Sequence, residues 1–117
     1  MYFNFKLFSV LTAKAYNNVG DSCYSLEEVL SVFEYYFKSY EDTFQEVHPP
    51  IRMAQIQKII QVMPYIDREH GHIADIDSKC YEAMIDKHFE TQYKCDYNIN
   101  HFFSGDIRML RYYEELY

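Results

Sequence analysis

The chain has 117 residues, of which 49% are hydrophobic and 19% aromatic, with 3 Gly, 3 Pro and a formal net charge of −7. That length fits one domain, and area scaling takes about two-thirds of the surface out of water on folding, so one core forms without a metal or disulfide staple. The composition excludes a disordered chain and a turn-dense β-sandwich, and the acidic balance excludes a whole-chain electrostatic footprint for nucleic acid.

In the first segment, Phe3, Phe5 and Leu7 alternate as a strand would, while Phe3, Leu7, Val10 and Leu11 keep helical spacing. The longer pattern predicts a helix over 3–16, with a strand as the other reading. The same stretch lacks a basic n-region and a cleavage motif, so no secretory signal is expected. Nowhere does a run of about 18 apolar residues occur, so no membrane span is expected either. Asn17-Asn18-Val19-Gly20-Asp21 reads as a turn, with Gly20 suited to a left-handed position.

The second segment carries the clearest signal. Ser25-Leu26-Glu27-Glu28 matches a capping box, with Ser25 as N-cap and Glu28 reaching back. Leu26, Val29, Leu30, Phe33, Tyr36, Phe37, Tyr40 and Phe44 then hold the helical period, with Glu27, Ser31, Glu34, Lys38, Glu41, Asp42 and Gln45 opposite. An amphipathic helix of about 20 residues and ~30 Å follows. His48-Pro49-Pro50 stops it. Ile51 to Met63 predicts a third helix with Met53, Ile56, Ile59, Ile60 and Met63 on one face, ended or bent at Pro64. Residues 67–77 read as a polar connection.

A fourth helix is predicted from Asp77 or Ser78 to about Tyr93, with a stripe of Cys80, Tyr81, Met84, Ile85, His88 and Phe89. Lys94 to Asn100 reads as irregular. A last helix is predicted from Ser104 or Asp106, packing through Ile107, Leu110, Tyr113 and Tyr117. The expected fold is all-α, a compact single-domain bundle of four to five amphipathic helices.

Catalytic signatures are sparse. Cys23, Cys80 and Cys95 form no CxxC pair, which argues against a zinc ribbon, a redox motif or a disulfide scaffold and favours a reducing cytoplasm. Gly20, Gly71 and Gly105 are isolated, so no phosphate-binding loop is expected. Cys80 and His88 share a stripe but stand two turns apart, ~12 Å of rise, too far for a nucleophile and its base. His88 reads as a core histidine, and His101 beside Phe102-Phe103 as part of an aromatic anchor. His70 and His72, with Asp75 and Asp77, offer ligand types a divalent ion accepts, but without HExxH spacing. A solvated loop leading to an N-cap carboxylate is the preferred reading there. No catalytic residue, metal or cofactor is assigned, and the chain is expected not to be an enzyme.

Charge is unevenly placed. Residues 25–46 hold Glu27, Glu28, Glu34, Glu41, Asp42 and Glu46 against Lys38, a balance of −5. Glu27, Glu34 and Glu41 recur every seven residues, about 10.5 Å apart on one side, with Asp42, Glu46 and Tyr35 beside them. A solvated polar face is the ordinary meaning of such a run. The functional meaning is a docking surface for a basic protein partner, with Tyr35 as anchor. Residues 51–68 carry Arg52, Lys58 and Arg68 against Asp67, a balance of +2, and Gln55 belongs to a face suited to base edges. Arg108 and Arg111 are expected one turn apart, though the i+4 spacing of Arg111 and Glu115 also suits an ordinary surface pair.

Tyr35 and Tyr112, with Tyr2, Tyr16 and Tyr24, fall off the apolar stripes; clustered, they would mark a partner or homodimer surface. The sequence therefore points first to a non-enzymatic interaction module. Its most specific form is an acidic inhibitor or adaptor, of the kind phages and mobile elements use, docked on a basic surface of a nucleic-acid enzyme. A small DNA- or RNA-binding regulator using Arg52, Gln55, Lys58, Arg108 and Arg111 ranks second. A metal-dependent enzyme at His70 and His72 ranks third.

Overall fold

Helix α1 runs from Phe5 to Val19 in a computed structural model that describes residues 5–20, 22–66, 74–90, 96–103 and 107. Its inward side is not the expected one. Phe8, Thr12 and Ala15 are buried, whereas Leu7 and Val10 are 60% and 53% exposed. Two effects turn the helix this way. The Phe8 ring meets Phe33 and Phe37 edge-on, each at 5.1 Å between centroids. The Thr12 hydroxyl donates to the Phe8 carbonyl at 2.8 Å, which lets a polar residue enter the core satisfied. The helix also continues through Asn17 and Asn18 before Gly20 takes a φ of +84°. The turn read at 17–21 therefore begins later than the sequence implied.

Helix α2 (Leu26–Phe44) forms as its signal demands. Ser25 Oγ accepts from the Glu28 amide at 3.1 Å, and Glu28 Oε1 accepts from the Ser25 amide at 3.0 Å. Val29, Val32, Phe33, Tyr36, Phe37 and Tyr40 are buried. The helix ends at Phe44, close to the expected length, because Gln45 adopts a left-handed conformation (φ 57°) and its amide donates to the Glu41 carbonyl. Helix α3 (Met53–Val62) buries Ile56, Ile59 and Ile60 and packs on α1. Beyond Pro64, a two-residue strand β1 (Tyr65–Ile66) pairs antiparallel with β2 (Ala74–Asp75), in the register Tyr65 to Asp75 and Ile66 to Ala74. This pairing lies within what the sequence showed only as the end of a helix and a polar connection.

Helix α4 (Cys80–Glu90) buries Tyr81, Met84, Ile85 and His88 and lies against α2. It starts later than the Asp77 or Ser78 that the sequence implied, because Asp77 closes a turn ahead of it, accepting from the Lys79 amide at 2.9 Å through its side chain. Residues 94–100 were expected to be irregular, yet a short helix α5 (Ile99–Phe102) begins inside them. The Asn and Asp residues that looked like loop are its caps: Asn98 Oδ1 accepts from the Asn100 amide, and Asp96 Oδ1 from the Asn98 amide. Of the predicted last helix, Ile107 is helical, and the remainder of 104–117 lies outside the described residues. The fold is all-α, and a radius of gyration of 13.6 Å matches the ~13.4 Å of a compact chain of this length.

The tyrosines explain how such short connections are held. Tyr16 donates to the Tyr24 carbonyl at 2.6 Å, Tyr24 to the Ile76 carbonyl, Tyr36 to the Tyr97 carbonyl at 2.7 Å, and Tyr81 to the Met63 carbonyl. Each acceptor lies outside the helices, where no helical N–H reaches it. Tyr24 is only 6% exposed, and burial pushes its phenol far above the ordinary range. Tyr16 and Tyr24, expected on the surface, are part of the frame.

His48 is the second such device. Its ring is 2% exposed and lies among Tyr36, Phe37 and Tyr40. Nε2 accepts from the Ile99 amide at 2.9 Å, and an amide only donates. Nδ1, 2.7 Å from the Pro49 carbonyl, therefore carries the proton and donates it there. Burial lowers the His48 pKa, outweighing the Pro49 carbonyl and Asp96, which raise it. The neutral ring ties the start of α5 to the chain leaving α2.

Candidate functional site

The outward side of α2 is strongly acidic. Glu27, Glu34, Glu41 and Asp42 are all exposed, and none forms an ion pair with a described cation. Lys38 is the lone basic residue on this helix. Glu46 is exposed too, but it lies beyond the left-handed Gln45 and so leaves the helical row the sequence assigned it to. The first-turn acids, Glu27 and Glu28, face the positive end of the helix dipole. Glu41 and Asp42 occupy the opposite end, where no basic residue balances the dipole. Each carboxylate there opposes the dipole by about 0.3–1 kcal/mol at low ionic strength.

Tyr35 does not stand free among these acids. It is half-buried, and its hydroxyl donates to Asp86 Oδ1 of α4 at 2.6 Å. That bond, with the nearby Asp86 charge, pushes the phenol up to about 12. Tyr35 therefore ties α2 to α4, which corrects its reading as a projecting anchor.

Between the two helices lies an open groove of about 470 Å³, lined by Tyr35, Lys38, Ser39 and Asp42 from α2 and by Asp86, Phe89 and Glu90 from α4. Sequence reasoning missed the second wall. Glu82, Asp86 and Glu90 recur every four residues and are all exposed. The spacing was visible, but only the packing of α4 on α2 joins these carboxylates to Asp42. Glu34 and Glu41 line a second groove of about 330 Å³ on the other side of Lys38, with Phe5, Phe37 and His48. The acidic surface thus runs from the rim of α1 across α2 to α4.

Of the candidate nucleic-acid residues, Arg52, Gln55 and Lys58 lie among the described residues. Arg52 and Lys58 are exposed, but Gln55 Oε1 accepts from the Arg52 amide at 2.9 Å, so the side chain serves the start of α3. Lys58 and Gln55 line a shallow groove with Ile59, Val62, Asn100 and Phe103. Arg108 and Arg111 lie outside the described residues, as do His70 and His72. Asp77 is occupied in its turn. Among the described residues, no group of three His, Cys, Asp or Glu side chains is placed to hold a metal ion. His88 is fully buried, as a core residue would be, and His48 has both ring nitrogens occupied.

No helix among the described residues is long and apolar enough to cross a membrane. No protein-family model, curated protein or solved structure matches the chain.

Proposed function

We propose that this protein is a non-enzymatic interaction module whose acidic α2 face docks on a basic surface of a protein partner. The observation that carries this reading is the placement of Glu41 and Asp42: exposed, without an ion pair among the described residues, and at the helix end where negative charge is unfavourable. Lysines at these positions would stabilise the helix end that the two carboxylates oppose. A partner's cations supply the missing compensation, and the long-range field speeds encounter. An inhibitor or adaptor acting on a nucleic-acid enzyme is the most specific form, because such enzymes present basic surfaces. The cytoplasm suits it, since Cys23 and Cys80 are free thiols.

The test is recovery of a partner by the tagged full chain at rising salt, beside the Glu34→Lys/Glu41→Lys variant. Binding that falls with salt and is lost in the variant supports the reading. A partner retained equally by both proteins refutes it. Retention of DNA or RNA that Lys58→Glu abolishes would transfer the function to the face carrying Arg52 and Lys58.

A further inference from the structure

We infer that the outward side of α1 docks a second copy of this chain, seated on that copy's α2 where Glu34 and Glu41 rim a groove; the receiving half of this contact rests on the acidic-face reading. Leu7 and Val10 are 60% and 53% exposed, and among the described residues only Phe44 joins them as an exposed large hydrophobic side chain. They stand three positions apart, so they share one side of the helix. Lys6 and Lys14 flank them, both exposed, and neither forms an ion pair with a described residue. Helix α1 contains no acid, in a chain whose net charge is −7. An apolar pair set between two ammoniums is complementary to an acidic surface that also offers apolar area.

The chain carries that complement itself. Lys6 and Lys14 are separated by about 12 Å of helical rise, and Glu34 and Glu41 by about 10.5 Å. Side chains as long as lysine and glutamate take up the difference. The groove of about 330 Å³ that these carboxylates rim has Phe5, Phe37 and Val47 in its lining, apolar area for Leu7 or Val10 to cover. Lys38 shares the rim, and the balance stays negative because Glu27 continues the row one heptad earlier. Two copies meeting through like faces would set lysine against lysine on α1 or glutamate against glutamate on α2. Only the unlike pairing brings opposite charges together. Helix α1 has 15 residues and is about 22 Å long, which places the contact in the small, transient class, below about 1,200 Å².

Sedimentation velocity of the full chain from about 10 μM to about 1 mM tests this, at ~0.15 M salt, where a Debye length of about 8 Å screens whole-molecule repulsion more than a contact pair. The apparent mass of the wild type is expected to rise across this range. Lys6→Glu/Lys14→Glu and Glu34→Lys/Glu41→Lys are each expected to weaken association about tenfold or more, and Leu7→Ser/Val10→Ser about fivefold or more. An equimolar mixture of the two charge variants is expected to associate as the wild type does, because each presents the charges that the other lacks. Circular dichroism of each variant confirms that the fold is kept. A chain that stays monomeric throughout, association unchanged by any one of the three variants, or a mixture that remains monomeric would overturn the inference. None of these results touches the acidic-face reading, which stands or falls on whether Glu34→Lys/Glu41→Lys loses the foreign partner.

Discussion

Replacing His48 isolates the device that joins α5 to the body of the molecule. In His48→Ala the Ile99 amide loses its acceptor while remaining buried, which costs about 1–3 kcal/mol. The vacated space between Tyr36, Phe37 and Tyr40 adds about 2–3 kcal/mol, the lower part of the range for large-to-small changes in a core. The sum, about 3–6 kcal/mol, lowers the melting temperature by roughly 10–25 °C and is a large part of the total stability of a domain this size. His48→Gln keeps an oxygen acceptor within reach of Ile99 and is expected to cost about 1–2 kcal/mol.

The same residue gives a pH test. A histidine held neutral has a folded pKa below its unfolded value, so the unfolded chain binds the extra proton first. Its contribution is complete above about pH 6.5 and declines as pH falls towards the lowered folded pKa, at up to ~1.4 kcal/mol per unit. Protonation would set an Nε2–H against the Ile99 N–H and place a charge among three aromatic rings. Urea unfolding followed by circular dichroism between pH 7.5 and 5 measures both effects. The reasoning fails if His48→Ala costs under about 1 kcal/mol, or if wild type and His48→Gln lose stability in parallel as the pH drops.

Three further outcomes are expected. Tyr35→Phe removes the bond to Asp86 at a site partly open to water, so the loss should stay within about 1 kcal/mol; the difference in phenolate absorbance between wild type and variant should place Tyr35 near 12, well above an ordinary tyrosine. Glu28→Ala breaks the reciprocal cap of α2 and the bond that Ser78 Oγ donates to Glu28 Oε2, and should cost about 1–2 kcal/mol by denaturant titration. The Glu28 carboxyl is held below its ordinary value, mainly by the Ser25 amide and then by Ser78, so its share is complete above the usual glutamate range and fades as acid protonates it. Gly20→Ala should destabilise by about 1 kcal/mol through its φ of +84° alone, because nothing lies within 4 Å of the added carbon.

The stripes of α2, α3 and α4 were legible because several large apolar side chains repeat at helical spacing and bury together: Phe33, Tyr36 and Phe37; Ile56, Ile59 and Ile60; Tyr81, Met84 and Ile85. On α1 the same rule misled. Leu7 and Val10 are more hydrophobic than Thr12 and Ala15, but it is Phe8 that meets Phe33 and Phe37, and the threonine hydroxyl is satisfied within its own helix. Helix α5 was hidden because a helix of 4 residues shows no period, and its caps resemble a loop. The acidic site was half legible. Glu27, Glu34, Glu41 and Asp42 follow one helix, whereas Asp86 and Glu90 join them only across the α2–α4 contact.

By itself the sequence determined the all-α class, the polarised charge and the start of α2, since periodicity, side-chain charge and a capping box act over a few residues along the chain. The tertiary structure decided which tyrosines face water, the tautomer of His48 and the second wall of the acidic groove. Each of these depends on a partner many residues away: Ile76 for Tyr24, Ile99 for His48, Asp86 for Tyr35. Local pattern carries no information about such pairs, because their geometry exists only once the helices have packed.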